Sequence, residues 1–122
     1  MNNFQRILVV DDDISIRNFI HVNLEARGYQ VLTAPDGEEA IKVAEKEKPD
    51  LIILDIVMPG MDGFAVCQKI REESNVPVIM LSAREGEGDK EKCVACGAND
   101  YLTKPFVLRE LLDMVKTLLK QK

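Results

Sequence analysis

No stretch of this sequence is long and apolar enough to cross a membrane, and the opening residues MNNFQR lack the apolar core of a signal peptide. Cysteine is scarce and odd in number; three thiols make no disulfide framework and fit a reducing, cytoplasmic setting. Excess positive charge is also missing. Sixteen basic against 21 acidic residues leave a net charge of −5, so the chain is not built to neutralise a nucleic-acid backbone, and no direct nucleic-acid binding is expected. Neither GxGxxG nor a P-loop occurs, which removes the usual nucleotide cradles. Internal repeats, linkers and low-complexity tracts are absent as well. What remains, with 46% hydrophobic and 30% charged residues over 122 positions, reads as one soluble domain spanning residues 1–122.

The chain is organised around LIILDIVMPGMDG, Leu51 to Gly63. Four apolar residues in a row between Pro49-Asp50 and the Pro59-Gly60 turn predict a strand buried on both faces, as in the middle of a parallel sheet. Asp55 then stands at that strand's carboxyl end, where open α/β sheets place their ligands. The rest of the chain repeats the pattern. RILVV (Arg6 to Val10) is a first strand running into Asp11, Asp12 and Asp13; Ile16, Phe19, Ile20 and Leu24 then form a helical stripe, stopped by Gly28. Gln30 to Ala34 gives a short strand, and Ala40, Ile41 and Ala44 a second helix. After the Asp55 strand come a third helix (Phe64, Cys67 and Ile70 inward), a fourth strand (Val78 to Leu81, ending in Ser82-Ala83-Arg84), and a weak helical segment with a thin apolar face, closed by Gly97. A fifth strand at Asp100-Tyr101-Leu102 leads through Thr103-Lys104-Pro105 to the strongest helix, striped by Leu108, Leu111, Leu112, Val115, Leu118 and Leu119. Five β-α units with short connections predict an α/β fold: one doubly wound, five-stranded parallel sheet with helices on both faces.

In such a sheet the residues following each strand share one edge: Asp11 and Asp12, Asp55, Ser82 and Lys104. Three carboxylates this close raise one another's pKa unless a cation sits among them. Hard oxygen donors with room for water and phosphate oxygens suit Mg²⁺. A carboxylate facing a phosphoryl electrophile can act as nucleophile and form an acyl phosphate, with Lys104 and the Ser82 hydroxyl holding the equatorial oxygens.

VVDDD, LDIVMPGMDG, MLSA and YLTKPF occur in order at these strand ends. In that set the chain resembles the CheY-like receiver domains of bacterial two-component response regulators, over nearly its whole length. The resemblance implies strand order 2-1-3-4-5 and a phosphoacceptor role for Asp55. It implies a Mg²⁺ site made by Asp12 directly, Asp11 mainly through water, Asp55, and the backbone carbonyl of Val57. It also implies Lys104 as the phosphoryl-binding ammonium, a cis Lys104-Pro105 peptide, and Ser82 with Tyr101 as the switch pair. The donor would be a sensor histidine kinase or phosphotransfer protein. The signal would leave through the face formed by the fourth helix, fifth strand and fifth helix, to a downstream output protein or domain. On this reading the domain catalyses only its own phosphorylation and slow dephosphorylation. Because the chain ends just after the fifth helix, it is expected to be a stand-alone regulator or a receiver cut from a longer protein.

Duller roles fit several residues. Asp13 is expected to cap the first helix. His21, the sole histidine, is expected to be a surface or packing residue, not a phosphate carrier. Cys93-x-x-Cys96 has no second ligand pair and reads as two small apolar residues on a weak helix. Haloacid-dehalogenase-type phosphatases also use an aspartate nucleophile with Mg²⁺, but need a second acid two residues later, where this chain has Val57. A degenerate receiver serving only as a docking module is opposed by the intact acid set.

Two further expectations follow from the resemblance. Winged-helix regulators pair their receivers through charges on the fourth-helix to fifth-helix face. Lys90 and Glu110 match that set, whereas Asn99, Met114 and Gln121 do not, so a monomer or a weak, phosphorylation-induced dimer is expected. Val57 and Arg84 stand where fast-resetting receivers carry an amide and an acid. A slow-decaying phosphoform is therefore expected.

Overall fold

The computed structural model describes residues 4–82 and 88–120. In chain order the elements are β1 (Arg6–Val10), α1 (Ile14–Glu25), β2 (Gln30–Ala34), α2 (Gly37–Glu47), β3 (Leu51–Asp55), α3 (Gly63–Arg71), β4 (Val78–Ser82), α4 (Asp89–Ala95), β5 (Asp100–Thr103) and α5 (Leu108–Lys120). All strands are parallel, in the order β2-β1-β3-β4-β5. The expected α/β fold and strand order both stand.

Alternation along β3 divides the core in two. Ile52 and Leu54 join the layer beneath α2, α3 and α4, with Ala40, Val66, Cys67, Ile70, Cys93 and Cys96. Leu51 and Ile53 point the other way, to Ile20 and Leu24 of α1 and to Leu111, Val115, Leu118 and Leu119 of α5. Every residue of β3 and β4 is buried, which explains why neither shows a polar face in sequence. Each such Ile or Leu side chain contributes about 1.5–3 kcal/mol.

The starts of α1, α2 and α3 are fixed by aspartates. Asp13 accepts from the Ser15 amide (2.9 Å), Asp36 from that of Glu39 (2.9 Å) and Asp62 from that of Ala65 (2.9 Å). One stripe residue departs from expectation. Phe19 is 49% exposed, while Ile16, Ile20 and Leu24 face the core. At 3.6 residues per turn those three define a line, and Phe19 stands about 100° from its centre. Gly28 takes φ +94° just beyond α1, and Gly97 takes φ +90° after α4, as the stop signals required.

At the amino-terminal edge of the sheet, Arg71 closes α3 against two loops. Its Nε donates to the Gly97 carbonyl (2.9 Å), Nη1 to that of Val76 (2.6 Å) and Nη2 to Asn99 Oδ1 (2.8 Å). The same Asn99 oxygen accepts the Val78 amide (2.9 Å). Asn99, one of the positions where an acid was missed for dimer pairing, is therefore committed inside its own chain. Gln121 lies outside the described residues.

Candidate functional site

Register sets the site. Val10 pairs with Leu54, Asp55 with Leu81, and Ser82 with Thr103, so β1, β3, β4 and β5 stop at nearly the same level. Asp11, Asp55 and Ser82 are the buried polar side chains among the described residues, and all three lie at this edge. Desolvating polar groups is costly without partners, so their arrangement carries the information.

Asp11 is fully used. Its Oδ1 accepts the Asp13 amide (2.9 Å), its Oδ2 accepts from Lys104 Nζ (3.0 Å), and its backbone carbonyl accepts from Arg17 Nη1 (2.8 Å). Asp55 is not. Lys104 Nζ stands 3.2 Å from Asp55 Oδ1, close enough to pair charges but off the direction of a hydrogen bond. That oxygen is buried without a hydrogen-bond partner. Burial first, and then the Asp11 charge, raise the Asp55 carboxyl from 3.8 to about 6; the Lys104 ammonium only partly offsets them. Burial alone would lower the pKa of Lys104, but its hydrogen bond to Asp11 and the charges of Asp55 and Asp11 outweigh that and raise it.

Asp12 is exposed beside them, and one carboxylate oxygen from each of Asp11, Asp12 and Asp55 lies within 4.8 Å of the others. Three convergent carboxylates, one with an unpartnered oxygen, fit a hard divalent cation with water in its remaining positions. The position two after Asp55, where a phosphatase of the rival type needs its second acid, holds Val57, an apolar side chain that is 61% exposed.

Ser82 ends β4 fully buried, its Oγ donating to Asp89 Oδ2 at 2.9 Å. Tyr101 is half-buried on β5 and packs against the α2, α3 and α4 layer. The Lys104-Pro105 peptide is cis. A shallow cleft of about 430 Å³ beside Lys104 is lined by Ser15, Ile16, Phe19, Pro105 and Phe106. Arg84 lies outside the described residues, as do Ala83 and the stretch to Glu87.

Gly63 makes a close backbone approach that the sequence does not announce. Its amide donates to the Ile56 carbonyl (2.8 Å), and a Cβ there would fall 2.7 Å from Ile56 Cα and closer still to the Asp55 carbonyl oxygen. The tight loop from Asp55 to α3 requires glycine at this position; the MDG turn signal marked it, but not as a close approach. Asp89 and Arg17 were also missed, since neither periodicity nor a motif marks them. His21 pairs with Glu25 on α1 (3.1 Å), away from the acids.

The model of the response regulator receiver domain matches residues 7–116. The chain belongs to that family. It is 49% identical over 118 residues to the alkaline phosphatase synthesis transcriptional regulatory protein PhoP of Bacillus subtilis (strain 168), covering 96% of this chain and 49% of PhoP. This receiver domain thus spans about half the length of the curated relatives it matches. The receiver domain of the Francisella response regulator 1452 superposes with a TM-score of 0.90 at 37% identity, covering 96% of this chain and 98% of that one. The BeF3-activated N-terminal receiver domain of Klebsiella pneumoniae RstA gives a TM-score of 0.90 at 30% identity, over 94% and 98% of the two chains. The receiver is a signalling domain of two-component response regulators. Among its described residues no helix is long and apolar enough to cross a membrane.

Proposed function

We propose that residues 1–122 form one receiver domain that takes a phosphoryl group onto Asp55 from a phosphohistidine and passes the change to an output partner. The buried Asp55 oxygen without a hydrogen-bond partner, between two acids and an ammonium, carries this reading. Asp55 attacks phosphorus, a P–O bond forms, the P–N bond to the donor imidazole breaks, and that nitrogen leaves with the bonding pair. Lys104 meets the new negative charge, and the Ser82 hydroxyl takes another phosphoryl oxygen. Asp11, Asp12, Asp55 and the Val57 carbonyl would hold Mg²⁺, which when bound neutralises charge on the phosphoryl oxygens.

An apolar cleft reaching Lys104, with Phe19 exposed on its wall, suits a protein donor (a histidine kinase or phosphotransfer protein) more than a small anion. PhoP and ycf27 carry transcriptional regulator in their names, which supports a DNA-binding output in the longer regulator. Withdrawal of Ser82 toward the phosphoryl group and inward movement of Tyr101 would change the face of α4, β5 and α5. The domain would work in the cytoplasm, as a monomer or a weak dimer; the internal bonding of Asn99 supports that state.

Intact-mass spectra after incubation with acetyl phosphate and Mg²⁺ are expected to show one added phosphoryl group on the wild type and none on Asp55→Asn. An unmodified wild type, or equal modification of the variant, refutes the assignment; continuous turnover of the donor without a phosphoform favours the phosphatase alternative. The phosphoform should decay slowly, because Val57 offers no hydrogen bond to orient an attacking water. Val57→Asn combined with Arg84→Glu is expected to speed decay about tenfold, roughly 1.4 kcal/mol of barrier. Unchanged decay of radiolabelled protein would remove these positions from lifetime control.

A further inference from the structure

We infer that Asp89 is a resting-state latch: its carboxylate competes with the phosphoryl group for the single proton of the Ser82 hydroxyl. This inference rests on the proposed phosphoryl chemistry at Asp55. Ser82 Oγ donates to Asp89 Oδ2 at 2.9 Å, from a side chain that is fully buried. A serine hydroxyl has one hydrogen to give. It cannot donate to Asp89 and to an oxygen on phosphorylated Asp55 at once, so occupation of either acceptor excludes the other.

The bond also reaches beyond Ser82. Asp89 is the first residue of α4, and the preceding Gly88 makes no side-chain cap bond. The described part of α4 is seven residues long, with Cys93 as its buried residue and Cys96 buried just after it. At its amino-terminal end the helix is thus tied to the end of β4 through Asp89. Releasing Ser82 to the phosphoryl group unties the first turn of α4, which places the local event and the movement of the signalling face on one hydrogen bond. Asp89 also suits the positive end of the helix dipole. That is a competing explanation for its presence, but it does not involve Ser82.

Asp89 is therefore a positioning residue that stabilises the resting state, and removing it should make activation easier. The test is a titration of the whole chain with beryllofluoride in Mg²⁺, followed by ¹⁹F NMR, on wild type, Asp89→Ala, Ser82→Ala and the double variant. A hydrogen bond to a charged acceptor sets the expected size. Asp89→Ala should bind about tenfold tighter than wild type, Asp89→Asn should fall between the two, and the double variant should match Ser82→Ala within about twofold. Equal affinity of Asp89→Ala and wild type overturns the latch. Equal tightening with and without the serine assigns the effect to α4 alone and overturns it too. If wild type binds no beryllofluoride, the phosphoryl reading of Asp55 fails first and takes the latch with it, a result distinguishable from both others. Should Asp89→Ala not fold, Asp89→Asn keeps the comparison, since a latch requires it to bind tighter than wild type only while Ser82 is present.

Discussion

Asp55→Asn is expected to make the metal-free protein more stable at neutral pH, although it removes the residue on which the proposed chemistry depends. The Asp55 carboxyl titrates near 6 in the folded chain against 3.8 as its ordinary value, chiefly because it is buried and secondly because Asp11 is negative. A raised folded pKa means that the folded state holds the proton more tightly than the unfolded one. The associated stability is complete below about pH 4 and is lost as pH rises through about 6. At pH 7 the buried carboxylate then costs on the order of 3 kcal/mol, which asparagine does not incur. Urea unfolding in chelator from pH 4 to 7.5 should show wild type weakening across that window while the variant stays nearly flat, the two converging at the acid end. Added Mg²⁺ should stabilise the wild type more than the variant. A variant less stable than wild type at pH 7, or parallel pH profiles, would show that the Asp55 charge is well compensated in the resting site.

Gly63→Ala is the substitution expected to do the most damage for its size. One methyl group would sit 2.7 Å from Ile56 Cα and closer to the Asp55 carbonyl oxygen, and both obstacles are backbone. Nothing flexible can move aside. Separating α3 from the end of β3 also strains the Gly63 amide bond to Ile56. Overpacking against backbone is expected to cost about 3 kcal/mol and to displace Asp55. Gly60→Ala provides the contrast. Gly60 takes φ +80° with open space around it, so alanine there meets only the left-handed backbone penalty, about 1 kcal/mol. Thermal unfolding that ranks the two variants equally would mean that the loop after Asp55 opens readily to admit a side chain.

Asp55 and its surroundings were legible because several signals agree. An unbroken apolar run, a turn behind it and acids or lysine after neighbouring strands all point to one edge, and short β-α connections leave few alternatives for the topology. The same local signals fail where packing is decided by elements distant in sequence. Phe19 keeps helical spacing with Ile16, but the line of α1 that meets the core runs through Ile16, Ile20 and Leu24, and Phe19 stands to one side of it. Arg71 reads as an ordinary charge at the end of a helix, yet four backbone or amide oxygens converge on it from two later loops. The Ser82–Asp89 bond was hidden for a related reason: residues seven apart have no fixed spatial relation until β4 and α4 are both in place.

In sequence Cys67 is one inward residue of α3 and Cys93-x-x-Cys96 a separate pair, but the fold brings all three into one layer. Cys67 Sγ donates to the Cys96 carbonyl (3.3 Å) and Cys96 Sγ to that of Cys93 (3.2 Å). Burial is the main cause that pushes the Cys67 and Cys93 thiols up to about 12. Thiolate, the form that reacts with alkylating reagents, is therefore almost absent from these two residues while α4 stays packed on α3. Each modification event has to wait for that seam to part. The chain thus carries native chemical probes of the seam, and where α4 recloses faster than iodoacetamide reacts, the rate at which they are consumed reports the fraction of molecules with the seam open, in the resting protein and under any condition that shifts it.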